Sequence, residues 1–383
     1  MRKLPNKLQS KLDRRKREGA LRSMPHSMAT IDFASNDYLG LARNREVSHG
    51  TMEILEGDGP WNGSTGSRLL TGNHPLYRMV EEHLGSWHRA EAALMFNSGY
   101  DANLGFFASV PQRGDLVLYD ELIHASIRDG IQMGRAQAYK YAHDRLQDLE
   151  QQWERLAKGK EGAEVYVVTE SLYSMDGDIP DLVALAHFCK EKGCHLVVDE
   201  AHATGIFGRG RDLVCELGLE GSVFARIITF GKAIGCHGAA ILGGPPLKEY
   251  LINFARSLIY TTALSPHTLA GILSAYRHLR QNGGELQGRL FGNIGRFRAE
   301  IEALGLSDIF VPSGSAIQSA LVPGNERARE VALKLQEAGF DVRPILSPTV
   351  PMGKERLRFC LHAHNKDEEI SRILGLLKQW VHK

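Results

Sequence analysis

Residues 165–205 read VYVVTESLYSMDGDIPDLVALAHFCKEKGCHLVVDEAHATG, and this stretch decides the architecture. Two short apolar runs, VYVVT (165–169) and HLVVD (195–199), flank the helical segment DLVALAHFCKEKG (181–193). Neither run alternates with polar residues, so each predicts a strand covered on both faces. Strand, helix and strand in that order make a parallel pair.

The same pattern extends outward. AALMF (92–96), LVLY (116–119), ARIITF (225–230) and AAILG (239–243) are further buried strands, with helical stretches between most of them. The reading is a large, mainly parallel α/β domain over residues 45–270. Within it, the Gly/Ser/Thr-rich loop NGSTGSRLLTGN (62–73) leads into a helix over 74–87. Before it lies an arm, 1–44, with an amphipathic helix over 3–22 whose Leu4, Leu8 and Leu12 form one stripe. After Pro266 the pattern changes to two long helices (267–282 and 285–304), strand IQSALV (317–322), a helix over 326–339, strands near 340–344 and 356–361, and a last helix from Asp367 to Val381. These predict a smaller C-terminal α+β domain over 271–383.

Composition narrows the function. Hydrophobic residues make up 43% and charged residues 24%, which excludes a disordered chain. Lys and Arg number 46 against 45 Asp and Glu, so no global field exists to hold nucleic acid or an anionic membrane. No apolar run reaches the ~18 residues of a membrane span, and no signal peptide is evident. Cys189, Cys194, Cys215, Cys236 and Cys360 form no CxxC pair, which fits reduced thiols in a cytoplasmic enzyme. No metal site is expected.

Ligands of open α/β sheets sit at the carboxyl ends of strands. Asp199 ends one such strand, and His202 follows in DEAHATG (199–205). A nucleotide-driven helicase shares D-E-A-H but needs a GxxxxGK[ST] phosphate loop, which this sequence lacks. Lys232, in IITFGKAIGCHGAA, stands among glycines and apolar residues at another strand end. Desolvation there favours the free amine that forms a Schiff base. A strand-end Asp together with such a Lys points to pyridoxal 5′-phosphate, its aldehyde on Lys232 and its ring nitrogen held protonated by Asp199.

Eight segments in order carry a closer likeness: SNDYLGL (35–41), GSTGSRLLTGNH (63–74), FNSGYDANLG (96–105), DELIHASI (120–127), ESLYSMDGD (170–178), DEAHATG (199–205), TFGKAIG (229–235) and PTVPMGKERLR (348–358). With them the chain resembles the α-oxoamine synthase family of pyridoxal-phosphate enzymes. The resemblance implies the PLP-dependent transferase fold, aspartate aminotransferase-like, fold type I. It implies that Lys232 carries the cofactor and later moves the substrate's α-proton, and that Asp199 pairs with the pyridine nitrogen. His202 and Ser174 would contact the ring's hydroxyl side, and His124 would stack on the ring. Gly99 and Tyr100 would offer backbone amides to the phosphate, and Thr229 its hydroxyl. The family's site lies at a homodimer interface, where Thr262 would reach the neighbour's phosphate. Arg358 would clamp the amino-acid carboxylate. RLRFC places Arg356 and Arg358 on one strand face, so spacing leaves both open, and the family pattern favours Arg358. Thr349 and Asn36 would lie by the substrate, and Arg22 would meet the acyl substrate at its distal carboxylate.

The implied reaction is a decarboxylative Claisen condensation of L-alanine with a pimeloyl thioester, on coenzyme A or an acyl carrier protein. Basic residues near 14–22 hint at the acidic carrier. Glycine-using members of the family are the nearest alternative. A non-catalytic binder of the same fold is a second, and the intact Lys232, Asp199 and His124 argue against it.

Overall fold

The computed structural model describes residues 4–22, 24, 31–56, 61–160 and 162–381. Lys3, where the first predicted helix starts, and residues 23 and 25–30 of the predicted arm lie outside the described residues.

Seven strands form one sheet, in the spatial order Ala92–Phe96, Ala239–Gly243, Ala225–Thr229, His195–Asp199, Val165–Glu170, Leu116–Asp120 and Gln137–Tyr141. The last five pair in parallel. Ala239–Gly243 alone runs antiparallel to both its neighbours. Val167, Val168, Val197, Val198 and Ile228 have no exposed surface. That explains why these strands read as unbroken apolar runs: both faces of the sheet are covered. Gln137–Tyr141 is absent from the sequence reading. It is an edge strand of polar alternation, QAYKY, with only Tyr141 buried.

A second sheet is antiparallel, ordered Arg343–Ile345, Arg356–Cys360, Ile317–Leu321. A short parallel pair joins Ile31–Asp32 to Phe340–Asp341. The N-terminal helix spans Asn6–Arg17, shorter than the predicted 3–22, and its Leu8 and Leu12 are exposed. Where the spacing predicts two helices, one helix runs through Pro266–Ala303. Asn282, Gly283 and Gly284 look like a break, yet Leu279, Leu290, Ile294 and Phe297 keep one helical phase across them, and all four are buried. Burial of that stripe outweighs the helix penalty of about 1 kcal/mol per glycine.

The chain forms two compact units. The larger comprises residues 39–174 and 179–287, and the smaller residues 1–38, 175–178 and 288–383. This departs from the division 1–44, 45–270 and 271–383. The N-terminal arm pairs with the C-terminal segment, and the composition change at Pro266 marks a helix start, not a unit boundary. Among the described residues, no helix is long and apolar enough to cross a membrane.

Candidate active site

In the larger unit, Asp199 ends its strand with its side chain buried. Its Oδ1 accepts the Ala201 amide at 2.9 Å and its Oδ2 accepts Asn103 Nδ2 at 2.8 Å. The turn that follows, with buried His202, is fixed by Glu200, whose carboxylate accepts the backbone N–H groups of Leu213 (3.2 Å) and Val214 (2.8 Å). Burial, then the nearby Asp212 charge, pushes Glu200 up to about 8.

Lys232 is half-buried in the turn after Ala225–Thr229. That turn is closed by Phe230 N–H to Gly238 O (2.9 Å), Cys236 N–H to Phe230 O (2.7 Å) and Gly235 N–H to Lys232 O (2.8 Å). His124 caps the helix Ala125–Met133, its Nδ1 accepting the Ser126 amide at 3.2 Å and lying 2.7 Å from Ser126 Oγ. Burial lowers the His124 pKa, Asp199 raises it and Lys232 lowers it, so the balance favours neutral imidazole. The same two charges act on Glu170. Burial and Asp199 hold that carboxyl well above its usual range, against the pull of Lys232. Glu170 stands opposite Asp199 in the strand register and accepts the His124 backbone N–H. Lys232, Asp199 and His124 are thus brought into one electrostatic cluster, with Glu170 as a fourth member.

Two of the cluster's components are absent from the sequence reading. Asn103 donates from Nδ2 to both Asp199 and Ser126 Oγ (3.0 Å), which links Asp199 to the helix that His124 caps. Its segment, FNSGYDANLG, is among the quoted motifs, but an asparagine inside a helix carries no signal of its own. Glu170 likewise reads as the ordinary end of a strand.

The helix Gly99–Ser109 begins directly after Ser98, whose hydroxyl accepts the Asp101 amide at 3.1 Å. The amides of Gly99 and Tyr100 belong to its first turn, the place where a helix offers N–H groups to an anion. A Cβ built on Gly99 would lie 3.7 Å from Thr229 Oγ1, so the two predicted phosphate contacts are neighbours. The Thr229 hydroxyl donates to Gly238 O at 3.2 Å. Tyr100 points its hydroxyl at Asp129. Ser174 is half-buried in the loop after Val165–Glu170. Thr262 is exposed, and its carbonyl accepts Asn97 Nδ2 at 2.7 Å.

The donor set fits pyridoxal 5′-phosphate. A buried carboxylate suits a protonated ring nitrogen, a half-buried amine suits an aldehyde, and a helix start beside a threonine suits a phosphate. Asn103 Oδ1, buried and without a hydrogen-bond partner, leaves one acceptor to spare.

In the smaller unit, Arg358 Nη2 donates to Asn36 Oδ1 at 2.9 Å, which also accepts the Tyr38 hydroxyl at 3.1 Å. Arg358 Nε is buried with no hydrogen-bond partner. Burial works against its charge, and Cys360 and Tyr38 push its pKa up. Arg356, two residues away, is engaged by Asp176 and by Lys354 O (3.0 Å). Of the two arginines, Arg358 is the one with a buried, unpartnered Nε and, among the described residues, no carboxylate on its guanidinium, whereas Arg356 is already paired with Asp176. Arg22 Nη2 lies 3.5 Å from Thr349 Oγ1.

The model of the family described as aminotransferase class I and II matches residues 29–377. An 8-amino-7-oxononanoate synthase from Emericella nidulans is 40% identical over 98% of this chain and 93% of its own length. Two solved structures are similar as well. An 8-amino-7-oxononanoate synthase from Francisella tularensis is 28% identical, with a TM-score of 0.77 over 92% of this chain and 98% of that one. A serine palmitoyltransferase from S. paucimobilis, solved with PLP and myriocin bound, is also 28% identical, with a TM-score of 0.87 over 98% and 97%. The chain belongs to the aminotransferase class I and II family of pyridoxal-phosphate-dependent enzymes.

Proposed function

We propose that this enzyme joins L-alanine to a pimeloyl thioester, releasing carbon dioxide and the thiol carrier and giving 8-amino-7-oxononanoate, a step of biotin biosynthesis. The observation that carries the reading is the near-full-length likeness to enzymes of that name. Bound at the site, pyridoxal 5′-phosphate supplies an aldehyde for the amino acid and an electron sink for charge at its Cα.

This chain's residues do the rest. Asp199, held in place by Asn103 and the Ala201 amide, would pair its carboxylate with the ring nitrogen. Lys232 receives and returns the Cα proton through Nζ. Neutral His124 presents a flat ring without adding a second cation to the cluster. His202 and Ser174 would hold the ring on its hydroxyl side, and the 99–100 amides with Thr229 would hold the phosphate. Arg358, through Nε and its guanidinium face, takes the amino-acid carboxylate and sets which Cα bond is aligned for cleavage. Asn36 holds that guanidinium in place. Arg22 and Thr349 serve the acyl substrate. In this reading the enzyme works as a cytoplasmic homodimer, with Thr262 reaching the partner's phosphate.

Replacing Arg358 by Lys removes a forked donor and should raise KM for alanine roughly tenfold or more. Arg356→Lys should raise it far less, because Asp176 already occupies Arg356. Equal effects would reassign the clamp. The function itself is tested by supplying purified holoenzyme with pimeloyl-CoA and either L-alanine or glycine, then weighing the products by mass spectrometry. 8-Amino-7-oxononanoate formed from alanine supports the reading. A glycine product made faster would move the enzyme to a sister activity, and no product from either would leave the non-catalytic alternative.

A further inference from the structure

His362 has no exposed surface and lies two residues beyond the strand Arg356–Cys360 that carries Arg358. Its ring Nε2 is 3.1 Å from the Ser35 carbonyl oxygen and 3.2 Å from Ser35 Oγ. A carbonyl oxygen only accepts, so the first contact is a donation from Nε2–H. That carbonyl belongs to the peptide bond joining Ser35 to Asn36, and Asn36 holds the Arg358 guanidinium. We propose that His362 is a positioning residue for the amino-acid substrate. It fixes the Ser35–Asn36 peptide and, through Asn36, the direction in which Arg358 presents its unpartnered Nε. The inference rests on the reading of Arg358 as the carboxylate clamp.

The segment from Phe33 to Tyr38 is tied to the C-terminal segment by backbone bonds at both its ends. The Cys360 amide donates to Phe33 O and the Ala363 amide to Tyr38 O, each at 2.8 Å. Between these ties the chain bends, and the His362 ring meets the bend at the peptide before Asn36. A peptide unit is planar, so a hydrogen bond at its oxygen restrains the whole plane. The Cα–Cβ bond of Asn36 is restrained with it. From there the geometry is closed. Asn36 Oδ1 spends both lone pairs, one on Arg358 Nη2 at 2.9 Å and one on the Tyr38 hydroxyl at 3.1 Å. If the peptide turns, that oxygen loses one or both.

His362 is itself held on several sides. Its backbone N–H donates to Asn365 Oδ1 at 2.8 Å, and the same oxygen lies 3.2 Å from ring Nδ1. Its carbonyl accepts Asn293 Nδ2 at 2.8 Å. The His364 ring stacks on it, with centroids 4.8 Å apart and planes at 21°. Asp32 fixes the opposite partner. Its Oδ1 accepts the amides of Ala34 and Ser35, both at 2.9 Å, and its carbonyl accepts Asn365 Nδ2 at 3.1 Å. Many buried histidines only satisfy neighbouring polar groups. This one donates to the peptide that aims the residue gripping the clamp, and a misplacement of about 1 Å in a positioning group can cost roughly 100-fold.

The test compares equilibrium binding of L-alanine with that of L-alaninol, which lacks the carboxylate, followed by the visible absorbance of the holoenzyme. Wild type should bind alanine the more tightly. That preference should fall about tenfold in His362→Leu and in His362→Asn, the effect of leaving a buried carbonyl without its donor. Alaninol binding should hardly change. His362→Asn keeps a polar side chain too short to reach Ser35, so it stands in should His362→Leu fold poorly. His362→Gln, whose amide nitrogen reaches the Ser35 carbonyl, should restore most of the preference. A preference unchanged in both variants overturns the role. Equal losses for the two ligands overturn it too, since they mark a histidine that only supports the fold. A loss that His362→Gln does not reduce assigns the effect to ring packing and has the same consequence. Arg358→Lys separates the role from the reading beneath it. Preference lost there but kept in the His362 variants removes the positioning role alone. Preference absent from wild type, or kept in Arg358→Lys, removes the clamp and the positioning role together. Product formation with pimeloyl-CoA is scored separately, so a His362-dependent preference without product keeps the role and removes the proposed function.

Discussion

Asn103 shows how a residue without a signature can organise a site. Its amide nitrogen serves Asp199 and Ser126 together, so Asn103→Ala should free both. Losing a hydrogen bond to a charged group costs roughly 1.5–3 kcal/mol, and kcat/KM should fall about ten- to a hundredfold. Steady-state kinetics checks this, with cofactor binding followed by its visible absorbance; full activity would make Asn103 a bystander. A second buried network tests acid stability. His88 Nδ1 lies 2.7 Å from Asp212 Oδ2, and Arg226 Nη1 lies 2.9 Å from the same oxygen. Burial alone would raise the Asp212 pKa, but the His88 hydrogen bond and the Arg226 charge bring it down from 3.8 to about 2. With the folded pKa below the unfolded one, this group stabilises the protein above pH 4, and that gain is lost as pH falls toward 2. Chemical denaturation should show about 1 kcal/mol of stability lost between pH 5 and pH 3 through this group. Asp212→Asn, less stable overall, should lack that part of the acid slope. Lys232 and Asp199 were legible in the sequence because their types are unusual at buried strand ends. Asn103 and Glu170 were not, because their meaning comes from neighbours distant in sequence.

At the scale of elements, the turn carrying Lys232 depends on Gly235. Its φ is +66°, and a Cβ there would stand 2.2 Å from the Ala42 backbone nitrogen. Neither the conformation nor the contact tolerates a side chain. Gly235→Ala should destabilise the protein by several kcal/mol, on the order of the largest single-residue effects. It should also impair cofactor loading, because the Gly235 amide closes the turn on the Lys232 carbonyl. Thermal melting and cofactor titration read the two effects, and a variant that matches wild type in both would show that the turn shifts freely. The strands that the sequence revealed are those buried on both faces, where hydrophobicity alone marks them. Gln137–Tyr141 escaped because an edge strand needs little apolar surface. The unbroken helix Pro266–Ala303 escaped because a Gly-Gly step is a local signal, overruled by a buried stripe longer than the step.

At the scale of the whole molecule, the smaller unit is completed by the chain's own beginning. The periodicity of residues 271–383 describes most of its elements, but no local pattern reveals that Ile31–Asp32 pairs with Phe340–Asp341. Pairing at that sequence distance is set by shape and burial. Phe33 has no exposed surface, and its ring centroid lies 6.1 Å from that of Phe340. Its N–H donates to Asp341 O at 3.0 Å, and its carbonyl accepts the Cys360 amide at 2.8 Å. Phe33→Ala should therefore cost about 3–5 kcal/mol, the usual price of emptying a buried aromatic site. The loss should not be confined to the N-terminal segment. Hydrogen exchange should rise at 340–341 and 357–360 together with 31–38, because these backbones share hydrogen bonds. Asn36 lies three residues on and holds Arg358, so KM for the amino acid should rise as well, in the same direction as in Arg358→Lys. Faster exchange limited to residues 31–38, with 357–360 still protected and KM unchanged, would mean that the C-terminal segment holds its fold and its arginine without help from the N-terminus.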